Sequence, residues 1–153
     1  MKLPLSFLSA FLSVCLACSC AEPESADKPS RNLFVIDYAH ESNGTFYHAT
    51  LSLIEGQPKA TWTTSRSDTK SSKQMPITEA QFREIWDDLN DITVFSQNAV
   101  RDPAQKLDPK TNHIIAVIFQ VGEQKGLQTY MIPAGEKSQQ FTTWLAKIGF
   151  PEK

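Results

Sequence analysis

Leu33-Phe34-Val35-Ile36-Asp37-Tyr38-Ala39-His40-Glu41-Ser42-Asn43-Gly44-Thr45-Phe46-Tyr47-His48-Ala49-Thr50-Leu51-Ser52-Leu53-Ile54 is two β-rich runs joined by Asn-Gly. Both turn residues tolerate positive φ, as a type I′ turn requires, so Asn43-Gly44 reads as a two-residue hairpin loop. That loop length sets a register. It pairs Phe34 with Leu53, Ile36 with Leu51, Tyr38 with Ala49 and His40 with Tyr47. Of these eight residues on one face, only His40 is polar. The other face receives Val35, Asp37, Glu41, His48, Thr50 and Ser52. Turn chemistry and alternation agree on one pairing.

Downstream, Glu55-Gly56-Gln57-Pro58 turns the chain into a third strand over residues 59–65, with Trp62 expected beside Leu51 on the apolar face. Residues 64–74, rich in Ser, Thr and Lys, read as a solvated loop. A helix follows: Thr78 is its N-cap, Gln81 completes a capping box and Ile77 is placed to staple onto Phe82. Phe82, Ile85, Trp86 and Leu89 recur at helical spacing and define its buried stripe. Residues 95–112, containing Pro103 and Pro109, read as mostly irregular.

Residues 114–121 are nearly all apolar, as expected of a central strand, and 122–126 turn the chain back into an antiparallel strand over 127–132. The last helix carries Phe141, Trp144, Leu145 and Ile148. Gly149 followed by Phe150 and Pro151 is a Schellman-type stop. The order β-β-β-α-β-β-α predicts an α+β domain over residues 32–150. It would have an antiparallel sheet of about five strands and two helices packed on one face. Hairpin plus helix occurs twice, which hints at an internal duplication, although packing alone produces the same stripes.

The three histidines are His40, His48 and His113. The hairpin register puts His48 on the polar face, diagonal to Asp37 and near Glu41, the type of pairing from which acid–base and metal sites are made. His40 falls on the other face, which leaves an incomplete ligand set for zinc. No metal site and no cofactor is therefore expected. Asp87, Asp88 and Asp91 cluster on the outer side of the first helix, where a solvated face fits better than a calcium loop. The hydroxyls from Thr61 to Ser72 sit in no nucleophile elbow, and no phosphate-binding or dinucleotide fingerprint is present. Asn43-Gly44-Thr45 fits a glycosylation sequon, but its turn role already explains it. Trp62, Trp86 and Trp144 suit core positions. Phe46 does not, because it falls beside His48 on the polar face near the hairpin tip. Phe46 and His48 are therefore the candidate partner contacts, unless the segment 99–107 covers Phe46.

The 15 basic and 17 acidic residues leave a net charge of −2. That balance argues against nucleic acid as a partner and against a polybasic lipid-headgroup binder. All three cysteines, Cys15, Cys18 and Cys20, lie at the end of an apolar run that opens the chain after Lys2. The domain itself holds no thiol, so a disulfide framework and a thiol nucleophile are excluded there. The apolar run is shorter than the ~20 residues that span a membrane and matches a secretory signal.

Leu16-Ala17-Cys18 and Ala17-Cys18-Ser19-Cys20 place small residues before a cysteine, and the segment resembles a bacterial lipoprotein signal. The resemblance implies a signal peptide over residues 1–20, lipid on Cys18 or Cys20, and a membrane partner reached through that lipid. The residues after the two cysteines are Ser19 and Ala21 rather than Asp, which by the same resemblance implies the outer membrane. Residues 21–31 are polar and proline-bearing, and read as a flexible tether. The expected function is a non-catalytic binding or assembly module of the cell envelope, with an unidentified envelope protein as partner. The alternatives are a small metal-assisted hydrolase using His48 and Asp37, or an inhibitor of an envelope protease inserting residues 64–74 or the hairpin tip.

Overall fold

Asn43 and Gly44 take φ of 51° and 70°, the left-handed pair that a type I′ turn needs. They join β1 (Leu33–Ser42) to β2 (Thr45–Ile54) in a computed structural model that describes residues 32–100 and 105–151. The signal segment, Cys18 and Cys20, and the tether lie outside the described residues. All four expected pairs form: Phe34 with Leu53, Ile36 with Leu51, Tyr38 with Ala49 and His40 with Tyr47. The inward residues Ile36, Tyr38, Ala49 and Leu51 are fully buried. Burial of a Leu- or Ile-sized side chain contributes about 1.5–3 kcal/mol.

A second tight turn, with Glu55 and Gly56 at positive φ, leads into β3 (Gln57–Arg66). It uses two residues rather than the four expected, so the register differs. Trp62 sits opposite Ala49, and Leu51 faces Ala60. The shift is by an even number of residues, so Trp62 keeps the apolar face. A further correction concerns residues 64–74. They are the end of β3, a turn at Ser67-Asp68 and β4 (Thr69–Met75), paired from Ala60↔Met75 to Arg66↔Thr69. Every β4 residue except Met75 is exposed. The strand has no buried face, hence no apolar alternation.

Thr78 caps α1 (Glu79–Asp91) with a complete capping box to Gln81, worth about 1 kcal/mol relative to Ala. Phe82, Ile85 and Leu89 are buried, and Trp86 is half-buried against Phe34. The stretch expected to be irregular contains α2 (Thr93–Gln97) and a two-residue β5 (Ala99–Val100). Then β6 (Asn112–Val121) and β7 (Gln124–Pro133) form an antiparallel pair. Finally α3 (Gln139–Lys147) ends at Gly149, φ 75°. The Gly149 and Phe150 amides donate to Ala146 and Leu145 carbonyls at 2.9 Å each, the paired bonds of a Schellman stop.

The α+β class stands, but among the described residues the sheet has seven strands rather than about five, in the order β4-β3-β2-β1-β6-β7-β5, and there are three helices rather than two. Every pairing is antiparallel. The core joins one sheet face to the helices through Ile36, Leu51, Ile115, Ile132, Phe82, Phe95, Phe141, Trp144 and Ile148. By strand parity the opposite face carries Asp37, His48, Thr50 and their neighbours, away from that core.

Candidate functional site

Where the helix layer ends, sheet and helices leave a trough. Met75 is the last residue of β4, and Pro76-Ile77 leads at once into α1, so the chain itself forms one wall. The floor is Leu51, Met75, Ile77 and Ile85. The rim carries Lys73, Gln81, Glu84 and Lys147, and the hollow measures about 420 Å³. A second hollow of about 310 Å³ shares Lys73, Met75 and Gly149 with it and continues past Trp62, Thr64 and Ser71. Together they run along the helix side of β4.

Two contacts hold this geometry. The Trp62 indole donates to the Ile148 carbonyl at 2.6 Å, taking up a helix-end acceptor that would otherwise be orphaned. Gly149 packs so closely that a Cβ there would lie 2.8 Å from Met75 Sδ and 3.3 Å from Trp62 Nε1. Glycine is thus required twice, by φ and by space. On the rim, Lys147 reaches Asp88 and Glu84, each at 2.8 Å, and these hydrogen bonds, Asp88 first, hold its pKa above the usual lysine value. Asp88 therefore bridges two helices, while Asp87 and Asp91 are exposed. Lys73 makes no ion pair among the described residues.

β4 is also a terminal strand of the sheet, so among the described residues no strand lies along its outer edge. Such an edge presents a row of backbone donors and acceptors. Lys70 and Lys73 decorate it, a feature that discourages self-pairing. The arrangement can accept an extended backbone along the edge, with side chains entering the trough.

The outward face holds the pair that the register anticipated. His48 Nε2 lies 2.8 Å from Asp37 Oδ1, and the Thr50 hydroxyl donates to the same oxygen at 2.8 Å. His48 and Asp37 are 36 % and 42 % exposed. Phe46 is half-buried and lies parallel to the His48 ring at 6.5 Å. Of the segment 99–107, the alternative cover for Phe46, residues 101–104 lie outside the described residues. Among the described residues, no three His, Cys, Asp or Glu side chains gather as a metal-binding group.

Sequence reasoning did not join His40 to His113. The β1–β6 pairing, with Tyr38 opposite Ile115, brings the two imidazoles into a stack 4.0 Å apart. Each is 6 % exposed. His113 Nδ1 lies 2.8 Å from the Tyr38 hydroxyl. His40 Nδ1 faces the Pro109 and Asn112 carbonyls at 3.1 and 3.2 Å, so that nitrogen carries the proton. Burial, then the nearby His40, lowers the His113 pKa to about 4, and burial raises that of Tyr38. Phe141 and Phe150 close over His113. This is a buried polar knot in which the Nδ1 atom of each histidine has a partner. The available signal was parity: His113, Ile115 and Val117 share a face, as do Ile36, Tyr38 and His40.

Comparisons of the chain with family models, with curated proteins and with solved structures gave no match. Function therefore rests on the geometry.

Proposed function

We propose that the chain is a lipid-anchored protein of the bacterial cell envelope whose domain is a non-catalytic binding module. It takes an extended segment of an envelope protein by strand addition to β4. The single observation that supports this most is the apolar trough beside the open β4 edge. Strand addition draws affinity from main-chain hydrogen bonds and specificity from pockets that receive alternate side chains. Lys73, at the rim of both hollows, favours a segment with a carboxylate near the trough. The anchor rests on the N-terminal cysteine motif and places the module at the membrane.

A hydrolase needs polar groups converging in a concave site. His48 and Asp37 line neither of the two hollows beside β4, so the metal-assisted alternative receives no support from geometry. The inhibitor alternative had two candidate insertions, and of these the 64–74 loop loses its support, because only the Ser67-Asp68 turn lies between the two strands there; the hairpin tip at Asn43-Gly44 remains the other.

The test is capture from envelope extract on immobilised protein, comparing wild type with Ser72→Pro and Lys73→Glu. Both variants should lose the captured protein while staying folded, within about 1 kcal/mol of wild type, and His48→Ala should keep it. Capture unaffected by both β4 variants would sink the strand-addition reading.

A further inference from the structure

On the face away from the helices, the exposed apolar side chains gather at one end of the sheet. Ile118 of β6 and Leu127 of β7 are cross-strand partners, 39 % and 68 % exposed. Val35 of β1 flanks Ile118 on its other side. Two residues nearer the strand end, Leu33 pairs with Ile54 of β2, itself 43 % exposed. Strand parity points all five outward, and Leu33 and Val35 link the two rows into one patch. Lys59, opposite Ser52, and Lys125, opposite Gln120, border it on either side. These two rows contain no carboxylate. Glu55 and Glu123 lie in the adjoining turns, and Asp37 lies one row further in. A contiguous exposed apolar patch of this kind marks a contact surface.

The path of the chain identifies what it contacts. Asn32 immediately precedes β1 and accepts a hydrogen bond from the Glu55 amide at 3.0 Å, so residues 1–31 join the domain at the margin of the patch. Even fully extended, residues 21–31 reach only about 35–40 Å. Anything anchored at Cys20 lies within that distance, and at Cys18, two residues further on, within about 43–47 Å. We propose that the patch rests on the bilayer that holds the anchor. Leu127 and Ile118 enter the boundary between headgroups and acyl chains, and Lys59 and Lys125 meet anionic headgroups. Two lysines are far from a polybasic footprint. The anchor holds the protein at the membrane, and the patch orients it. Because the trough lies on the opposite face of the sheet, this seating turns it away from the membrane toward incoming partners. The proposal rests on the anchor reading above.

The experiment uses full-length protein reconstituted into vesicles of phosphatidylethanolamine and phosphatidylglycerol containing acyl-chain-brominated lipid, which quenches tryptophan at the membrane. The native tryptophans are on the helix side and provide the baseline. Leu127→Trp should add blue-shifted emission that the brominated lipid removes, whereas Ser71→Trp on β4 should add emission that it leaves intact. Flotation of the same samples reads the anchor separately. Failure to float overturns the anchor and this proposal together. Flotation with equal quenching at 127 and 71, or with none at 127, overturns this proposal alone. A dimer in detergent that dissociates on Leu127→Asp assigns the patch to a second copy and likewise overturns it.

Discussion

The Trp62 indole nitrogen lies 2.6 Å from the Ile148 carbonyl, so a strand in the first half of the domain holds the end of its last helix. Trp62→Phe keeps most of the ring volume and removes the donor. The variant should lose about 1–3 kcal/mol, the cost of leaving a buried acceptor unpaired. Amide exchange at Gly149 and Phe150 should quicken before the rest of the domain is affected. Gly149→Ala should destabilise by at least about 1 kcal/mol through its left-handed φ alone, with the Met75 contact adding to that. Denaturant melts measure both.

The stacked histidines predict an acid-sensitive fold. The His113 pKa falls to about 4 in the folded protein, against about 6.5 in an unfolded chain. Between those values the unfolded chain binds the extra proton, so stability rises with pH. It is fully present above pH ~6.5, is lost progressively on acidification, and loses nothing further from this group below pH ~4. The size is about 3 kcal/mol, from 1.36 kcal/mol per pKa unit. The double variant Tyr38→Phe/His113→Phe replaces the buried polar pair with apolar rings and should flatten the curve in that window. Urea midpoints across the pH range, wild type against variant, provide the check.

The hairpin face assignment makes a sharp contrast. Ile36 and Leu51 are fully buried, and Asp at either site would bury an unpaired charge. Either change should prevent folding or cost more than about 3 kcal/mol. Asp37→Ala and Thr50→Ala remove half-exposed hydrogen bonds and should cost about 1 kcal/mol or less. Equal losses in denaturant melts would contradict the observed register.

Local chemistry made the first hairpin and both long helices legible. Asn43-Gly44 admits one turn type, Thr78-x-x-Gln81 one helix start, and Gly149-Phe150 one helix stop. The Asp37–His48 pair followed from that hairpin alone. What escaped was set by tertiary context. β4 sits at an edge with both faces in water, so it carries none of the apolar alternation by which strands are recognised. β5 is too short to leave a pattern. His40 and His113 are 73 residues apart and meet only through the β1–β6 pairing, which no turn dictates. The trough was illegible for the same reason, since its walls come from β2, β4, α1 and the end of α3.

The N-terminal motif predicts a mature protein beginning at Cys18 or Cys20 and carrying acyl chains. Intact-mass measurement of protein from its native membranes should show the lipid increment, and the double variant Cys18→Ser/Cys20→Ser should lose it and leave the detergent phase. Unmodified, soluble protein from the native host would remove the anchor.

Adjacent residues of β4 should respond oppositely to proline. The two-residue turn at Ser67-Asp68 makes Arg66 and Thr69 a hydrogen-bonded pair, and bonding then alternates along the ladder. Ser71, opposite Thr64, points its N–H at β3, whereas Ser72, opposite Thr63, points its N–H outward. Ser71→Pro deletes a ladder bond and forces a ring against the neighbouring strand, which should cost about 2–3 kcal/mol or more. Ser72→Pro removes an edge donor and the exposed hydroxyl that accepts from Thr63 at 3.3 Å, and should stay within about 0.5–1 kcal/mol of wild type, as proline does where its position faces solvent. Loss of partner capture by Ser72→Pro is then attributable to the open edge rather than to unfolding. If Ser72→Pro melts as early as Ser71→Pro, the outward N–H is misassigned and β4 is not the docking strand.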